Sequence, residues 1–226
     1  MQTIENKVII YDDVCPMCRA YTAGFVRLGW LRHRTGFADA SPHLLQHIDL
    51  DRARHEIPLH DTLTGETLYG LDALFFLIGQ RLPWCQPLFR LRAFRAPLYI
   101  LYQIITFNRR IIAGSAAPAS GFDCAPDVNR FYRWLYIGLA LTAAVLLALP
   151  LLPNALILWP AIVLLHGAVL LLGMLLPKRL DLAGHGATML LVQVLLLRLL
   201  PEGVAVQAGI LALIGWMWGQ RLPLLA

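Results

Sequence analysis

The sequence predicts an α/β domain at the N-terminus followed by an all-α transmembrane four-helix bundle. Three observations carry that expectation. The chain is 58% hydrophobic and 15% charged, with a mean hydropathy of +0.61, which is more apolar than a water-soluble domain usually hides. Charge is segregated: beyond Arg133 the only charged residues are Lys178, Arg179, Asp181, Arg198, Glu202 and Arg221. Finally, the first half alternates short strand-like and helix-like patterns, whereas the second consists of long apolar stretches broken by proline and glycine. The expected division is a domain over 1–112, a linker over 113–128 and a helical domain over 129–226.

Taken in order, Lys7 to Tyr11 reads as a buried strand, and Cys15 to about Leu31 carries apolar residues at helical spacing (Ala20, Phe25, Val26, Leu28). Thr35 to Ala38 reads as a second strand. Pro42 opens a short helix through Ile48, because proline suits the first helical turn. Ile57 to His60 is a third strand, and Leu63-Thr64-Gly65-Glu66 turns the chain back into Thr67-Leu68-Tyr69. A helix follows over Gly70 to Gly79. Gln86 to Phe107 reads as two short helices separated near Arg95-Ala96-Pro97, and the Gly-, Ala-, Ser- and Pro-rich stretch from Ala113 to Asp127 marks the linker.

Four apolar stretches come next: Phe131–Leu149, Ala155–Leu176, Leu182–Leu200 and Val204–Trp218. A span needs about 20 apolar residues, with about 17 the lower limit; the first three meet this and the fourth is short. The breaks hold Pro150, Pro153, Pro177, Pro201 and Gly203, which predicts antiparallel neighbours. Arg109, Arg110, Arg130 and Arg133 precede the first span, Lys178 and Arg179 join the second to the third, and Arg221 follows the fourth. The basic-side rule then puts the N-terminal domain and the C-terminus in the cytoplasm of an inner or plasma membrane. Arg198 is the exception, at the outer end of the third span, where it can snorkel. Trp134, Trp159, Trp216 and Trp218 read as interfacial anchors. The first ten residues lack the long apolar core of a secretory signal. A net charge of +5 without an aromatic-basic recognition motif points to a membrane surface rather than nucleic acid.

Chemistry is concentrated in Cys15-Pro16-Met17-Cys18. The pair stands after a strand and at the start of a helix, where exposed amides and the helix dipole stabilise a thiolate on the first cysteine. Cys15 is then the nucleophile. Cys18, one turn on, is placed to resolve a mixed disulfide.

Tyr11-Asp12-Asp13-Val14-Cys15-Pro16-Met17-Cys18 resembles the opening signature of the DCC family of predicted thiol-disulfide oxidoreductases, a tyrosine-aspartate-glycine pattern followed by CxxC. The resemblance continues in Tyr69-Gly70-Leu71-Asp72-Ala73 and Asn108-Arg109-Arg110, so it covers roughly the first half of the chain. It implies a thioredoxin-like fold and dithiol chemistry, with Asp12, Cys15 and Cys18 at the motif positions. The family's glycine is Asp13 here; if positive φ is required there, aspartate tolerates it better than most residues. Asp12 is either a buried proton acceptor for Cys18 or a loop cap bonding nearby amides. Pro58, opening a strand, matches the cis-proline that faces the active cysteine in thioredoxin-like folds; the plain alternative is a strand-edge proline.

Cys85 and Cys124 are either a second, relaying pair or small buried hydrophobes. His166, His185 and Gln193 fall inside expected spans, where polar residues are functional candidates. A quinone or proton site would use them, and interhelical hydrogen bonding explains them equally. The expectation is therefore a membrane-anchored thiol-disulfide oxidoreductase, requiring no cofactor, with a thiol or disulfide compound as partner and lipid around its helices. The competing reading is a soft-metal module on Cys15 and Cys18. One CxxC supplies only two of the four ligands of a closed zinc site, with His55 and His60 as candidates for the rest.

Overall fold

The computed structural model describes residues 4–116, 122–124, 126–154, 162, 165–168, 178–200 and 203–225. The chain divides into two compact units, Met1–Val128 and Asn129–Ala226.

In the first unit, the β-branched run of β1 (Lys7–Tyr11) forms an inner strand of a four-stranded sheet with β2 (His33–Gly36), β3 (Pro58–Asp61) and β4 (Thr67–Tyr69), in the order β2-β1-β3-β4. β2 runs parallel to β1, β3 antiparallel to β1, and β4 antiparallel to β3. Successive strand residues face opposite sides, so Ile9 and Ile10, both fully buried, belong to two different cores. Ile9 packs with Leu31, Leu59, Ala73 and Leu77, against Phe25 and Val26 of α1 (Pro16–Arg27). Ile10 packs with Phe37, Ile48, Ala53, Tyr69 and Cys124. Helices α2 (Pro42–Leu45), α3 (Leu50–Ala53), α4 (Gly70–Arg81), α5 (Gln86–Arg90) and α6 (Arg92–Ala113) complete the unit.

Several boundaries differ from the sequence reading. The first helix stops at Arg27 rather than near Leu31, because Gly29 takes φ 67° and ends it. β2 lies two residues earlier than expected: parallel pairing aligns Val8 with His33 and Tyr11 with Gly36, and the amide of Ala38 is already taken by the Asp13 carboxylate at 2.7 Å. Asp49 caps the unexpected α3 by accepting from the Arg52 amide. Pro97 does not divide α6; it sits in the helix's second turn, and the helix continues through it to Ala113. The expected linker is also partly docked. Phe122 packs on Phe37 at 4.9 Å between ring centroids, Arg109 and Arg110 bond the Cys124 carbonyl and the Asp123 carboxylate, and Arg54 pairs with Asp127 at 3.1 Å.

The second unit is helical. Its long helices among the described residues are α7 (Arg130–Ala148), opened by the Asn129 side chain accepting from the Tyr132 amide, α8 (Arg179–Leu199) and α9 (Val204–Arg221). Small residues let α7 and α8 approach through Ile137, Ala140 and Ala187. Arg133 pairs with Asp181 at 3.3 Å and Tyr136 bonds Thr188 at 2.7 Å, which joins the N-terminal ends of both helices. At that same end Arg221 bonds His185 at 2.8 Å, so α9 runs antiparallel to α8. Two helices, Arg130–Leu151 and Arg179–Leu199, are long and apolar enough to cross a membrane, and half of the second is buried within the protein. The expected span Ala155–Leu176 lies outside the described residues except at 162 and 165–168, and Trp159 lies outside them too. Trp134 and Trp216 are exposed, as interfacial anchors would be, but Trp218 is 2% exposed and packs in the core with Met189 and Ile214.

Candidate functional site

The site is assembled at the C-terminal end of β1. Cys15 is the N-cap of α1, in extended conformation, with Pro16 in the first turn. Its sulfur accepts a hydrogen bond from the Cys18 amide at 3.4 Å. Proline has no amide hydrogen to compete in that first turn, so the sulfur occupies the place that a serine or aspartate oxygen takes at other helix starts.

Electrostatics separates the two thiols. The Cys18 thiol bonds Cys15, and together with the Cys18 amide and the Arg109 charge it outweighs the opposing effect of burial, bringing Cys15 down to about 6 from the ordinary thiol value near 9. The same bond, reinforced by burial and by the neighbouring Cys15 charge, pushes Cys18 far above that value. One proton is thus held on Cys18 while Cys15 carries negative charge at neutral pH.

Asp12 is 7% exposed. Its Oδ1 accepts from the Val14 amide at 3.1 Å, and its Oδ2 lies 3.3 Å from Arg109 Nη2. It therefore caps the loop ahead of the cysteines and pairs with a cation. Asp13 has negative φ, since no residue other than glycine is positive among those described; aspartate stands here without left-handed backbone.

Pro58 heads β3 at the same end of the sheet, but its peptide bond is trans, with no cis bond among the described residues. The expected cis-proline is therefore corrected. The antiparallel β1–β3 register accommodates Pro58 at the strand's first position, where proline needs no special isomer.

Further residues, not read from the sequence as site members, gather here from other elements. Arg109 feels Cys18, Asp12, Cys124 and Cys15, and although burial opposes its charge, these neighbours outweigh it and raise its affinity for a proton. Tyr21, one turn beyond Cys18 on α1, is raised by burial and by its contact with Cys18. Tyr102, seven residues before Arg109 and on the same face of α6, takes the Ile57 amide on its hydroxyl at 3.2 Å; burial pushes it up to about 12. The available signals were the basic pair after Asn108 and the helical spacing of Tyr102 and Arg109. Neither identifies a site without the tertiary contacts.

The pocket is closed. Cys15 is 1% and Cys18 4% exposed. All four cysteines are free thiols. Cys124 lies in the Ile10 core, and burial, followed by the Asp12 charge, raises its thiol. Cys85 is buried beside α5.

The two histidines held as metal candidates lie in other surroundings. His55 packs on Phe107 and His60 on His47, with tilted rings whose centroids are 5.5 Å and 5.6 Å apart. Among the described residues, no three histidine, cysteine or acidic side chains are grouped to hold a metal ion. In the second unit His185 bonds Arg221, while His166 and Gln193 are buried.

No family model matches the chain, and neither a curated protein nor a solved structure matches it.

Proposed function

We propose that this chain is a membrane-anchored thiol-disulfide oxidoreductase in which Cys15 attacks and Cys18 resolves. The observation that carries the reading is the Cys15 sulfur at the start of α1, receiving the Cys18 amide, with its thiol brought down to about 6 by the Cys18 bond. The sheet order β2-β1-β3-β4, with the CxxC leaving β1 into α1, resembles the thioredoxin arrangement, which the likeness to the DCC family also implies. The apolar helices Arg130–Leu151 and Arg179–Leu199 support the anchor, and the arginines and lysines at one end support a cytoplasmic N-terminal unit.

In the exchange, the Cys15 thiolate attacks one sulfur of a substrate disulfide. The substrate S–S bond breaks, and one substrate thiolate leaves with the electron pair and takes a proton. Cys18 then loses its proton and attacks the Cys15 sulfur of the mixed disulfide. The second substrate thiolate departs, leaving a Cys15–Cys18 disulfide and two electrons on the substrate. The enclosure of both sulfurs requires the pocket to open before the first attack.

The test is reduction of a small aromatic disulfide by the full-length protein. Cys15→Ser abolishes it, and Cys18→Ser accumulates a mixed disulfide on Cys15 visible by mass spectrometry. Unchanged rates in both variants overturn the reading.

A further inference from the structure

Most buried polar side chains of the helical unit find partners within it. His185 bonds Arg221, Tyr136 bonds Thr188, and Thr188 bonds the Gly184 carbonyl. These are the interhelical hydrogen bonds expected of a packed bundle. Gln193, His166 and Trp218 behave differently. Gln193 is 0% exposed, and neither its amide nitrogen nor its amide oxygen has a partner among the described residues. The indole N–H of Trp218 and the Nε2 of His166 are also buried and have no partner among the described residues.

His166 and Trp218 are neighbours, and Gln193 lies on the face of α8 that packs against Trp218. The His166 and Trp218 rings stand edge to face, 6.2 Å between centroids. Trp218 packs with Met189, Ile214, Leu165 and Val192. Gln193, four residues after Met189, returns to the same face of α8. An apolar wall therefore surrounds three unused hydrogen-bonding groups, which a folded protein does not normally leave unpaired.

From these groups we infer that the helical unit carries a quinone-binding site formed by Gln193, His166 and Trp218. Trp218 and the Gln193 amide nitrogen are donors. His166 Nδ1 faces the Ile162 carbonyl at 3.1 Å; a carbonyl only accepts, so the proton sits on Nδ1 and Nε2 offers a lone pair. Such a set suits a neutral, lipid-soluble ring whose carbonyl oxygen accepts in the oxidised form and whose hydroxyl donates in the reduced form. An ion or a sugar matches neither the apolar wall nor the absence of full charge.

The inference extends the dithiol reading by naming the class of its two-electron partner, because no cysteine follows Cys124 to carry electrons further. With a quinone as electron acceptor the exchange runs in the opposite direction: a substrate dithiol reduces the Cys15–Cys18 disulfide and is itself oxidised, and the regenerated dithiol gives up two electrons and two protons. The quinone takes up two of each to become the quinol.

The test is calorimetric titration of the full-length protein in detergent with a ubiquinone bearing one isoprene unit. Saturable binding is expected. Trp218→Phe and Gln193→Leu should each weaken it about tenfold, with monodisperse gel filtration confirming that the variants fold. Absence of saturable binding, or equal affinity in both folded variants, overturns the site; the latter outcome means the groups serve packing or hold water. Cys15→Ser should bind the quinone as tightly as the parent and fail to reduce it. If the parent binds quinone yet its cysteines give no quinol, the site stands and its coupling to the dithiol falls, while the dithiol reading itself is decided by the disulfide-reduction test.

Discussion

Arg109 and Asp12 form an ion pair, 3.3 Å from Nη2 to Oδ2, with side chains 11% and 7% exposed. The same guanidinium donates to the Cys124 carbonyl. A residue near the end of α6 thus ties together the loop ahead of Cys15, the docked segment and the electrostatics of the thiol pair.

Alkylation of Cys15 should reflect this arrangement. Its rate with iodoacetamide, followed by peptide mass spectrometry on full-length protein, is expected to rise with a midpoint near pH 6. Arg109→Met should move that midpoint upward by about one unit, because an opposite charge nearby lowers an acid's pKa by 1 to 3. Arg109→Lys keeps the charge but replaces the planar guanidinium, whose Nη2 reaches both Asp12 and the Cys124 carbonyl, so it should hold the midpoint and weaken the bond to Cys124. A midpoint above pH 8 in the parent would contradict the bond from Cys18 to Cys15.

Lys7 and Asp61 are a buried pair, 2.7 Å apart, joining directly opposed residues of β1 and β3. The Lys7 bond holds Asp61 down to about 2, below its ordinary 3.8. A carboxyl lowered by folding stabilises fully above its unfolded pKa, and that contribution disappears as pH falls from about 4 to about 2. Lys7→Met leaves the buried carboxylate without its cation, held only by the Leu63 and Thr64 amides, and is expected to cost about 3 kcal/mol in urea unfolding. A loss under about 0.5 kcal/mol would mean that the pair is effectively solvated.

Gly36 has no room for a side chain: a Cβ there would stand 1.4 Å from the Asp13 Oδ1 atom. Gly36→Ala must push Asp13 away from the Ala38 amide it caps at 2.7 Å, with a loss of about 1 to 3 kcal/mol. Adding Asp13→Ala should cost less in the Gly36→Ala background than in the parent. Additive losses in that double-mutant cycle would show that the two positions are not in contact.

A reporter fused at Ala226 tests the anchor. With four spans and a cytoplasmic N-terminal unit, a phosphatase that needs an oxidising compartment should be inactive there, and a cytoplasmically active fluorescent reporter should shine. The reverse pattern would overturn the orientation derived from Lys178, Arg179 and Arg221.

The legibility of the sequence follows the range of the forces involved. β1 and β4 fell within the residues expected, because a run such as KVII or a Thr-Gly-Glu turn signals itself within a few positions. β2 was displaced because its limits come from pairing with β1, a contact that periodicity does not encode. Pro97 reads as a break, yet α6 passes through it; its interior residues Gln103, Ile104, Thr106, Asn108 and Ile111 are buried, and packing of that face outweighs one missing amide.

By itself, the sequence determined the strand-loop-helix setting of Cys15 and Cys18, the apolar second half and the segregation of charge, since each depends on residues close together in the chain. Only the tertiary structure decided that Arg109 and Tyr21 stand beside the thiols, with Tyr102 next to Tyr21, that the peptide bond before Pro58 is trans, and that Phe122, Asp123, Cys124 and Asp127 pack within the first unit. Those outcomes depend on contacts between residues tens of positions apart, where burial and the pairing of buried charge select among arrangements that local pattern leaves equal.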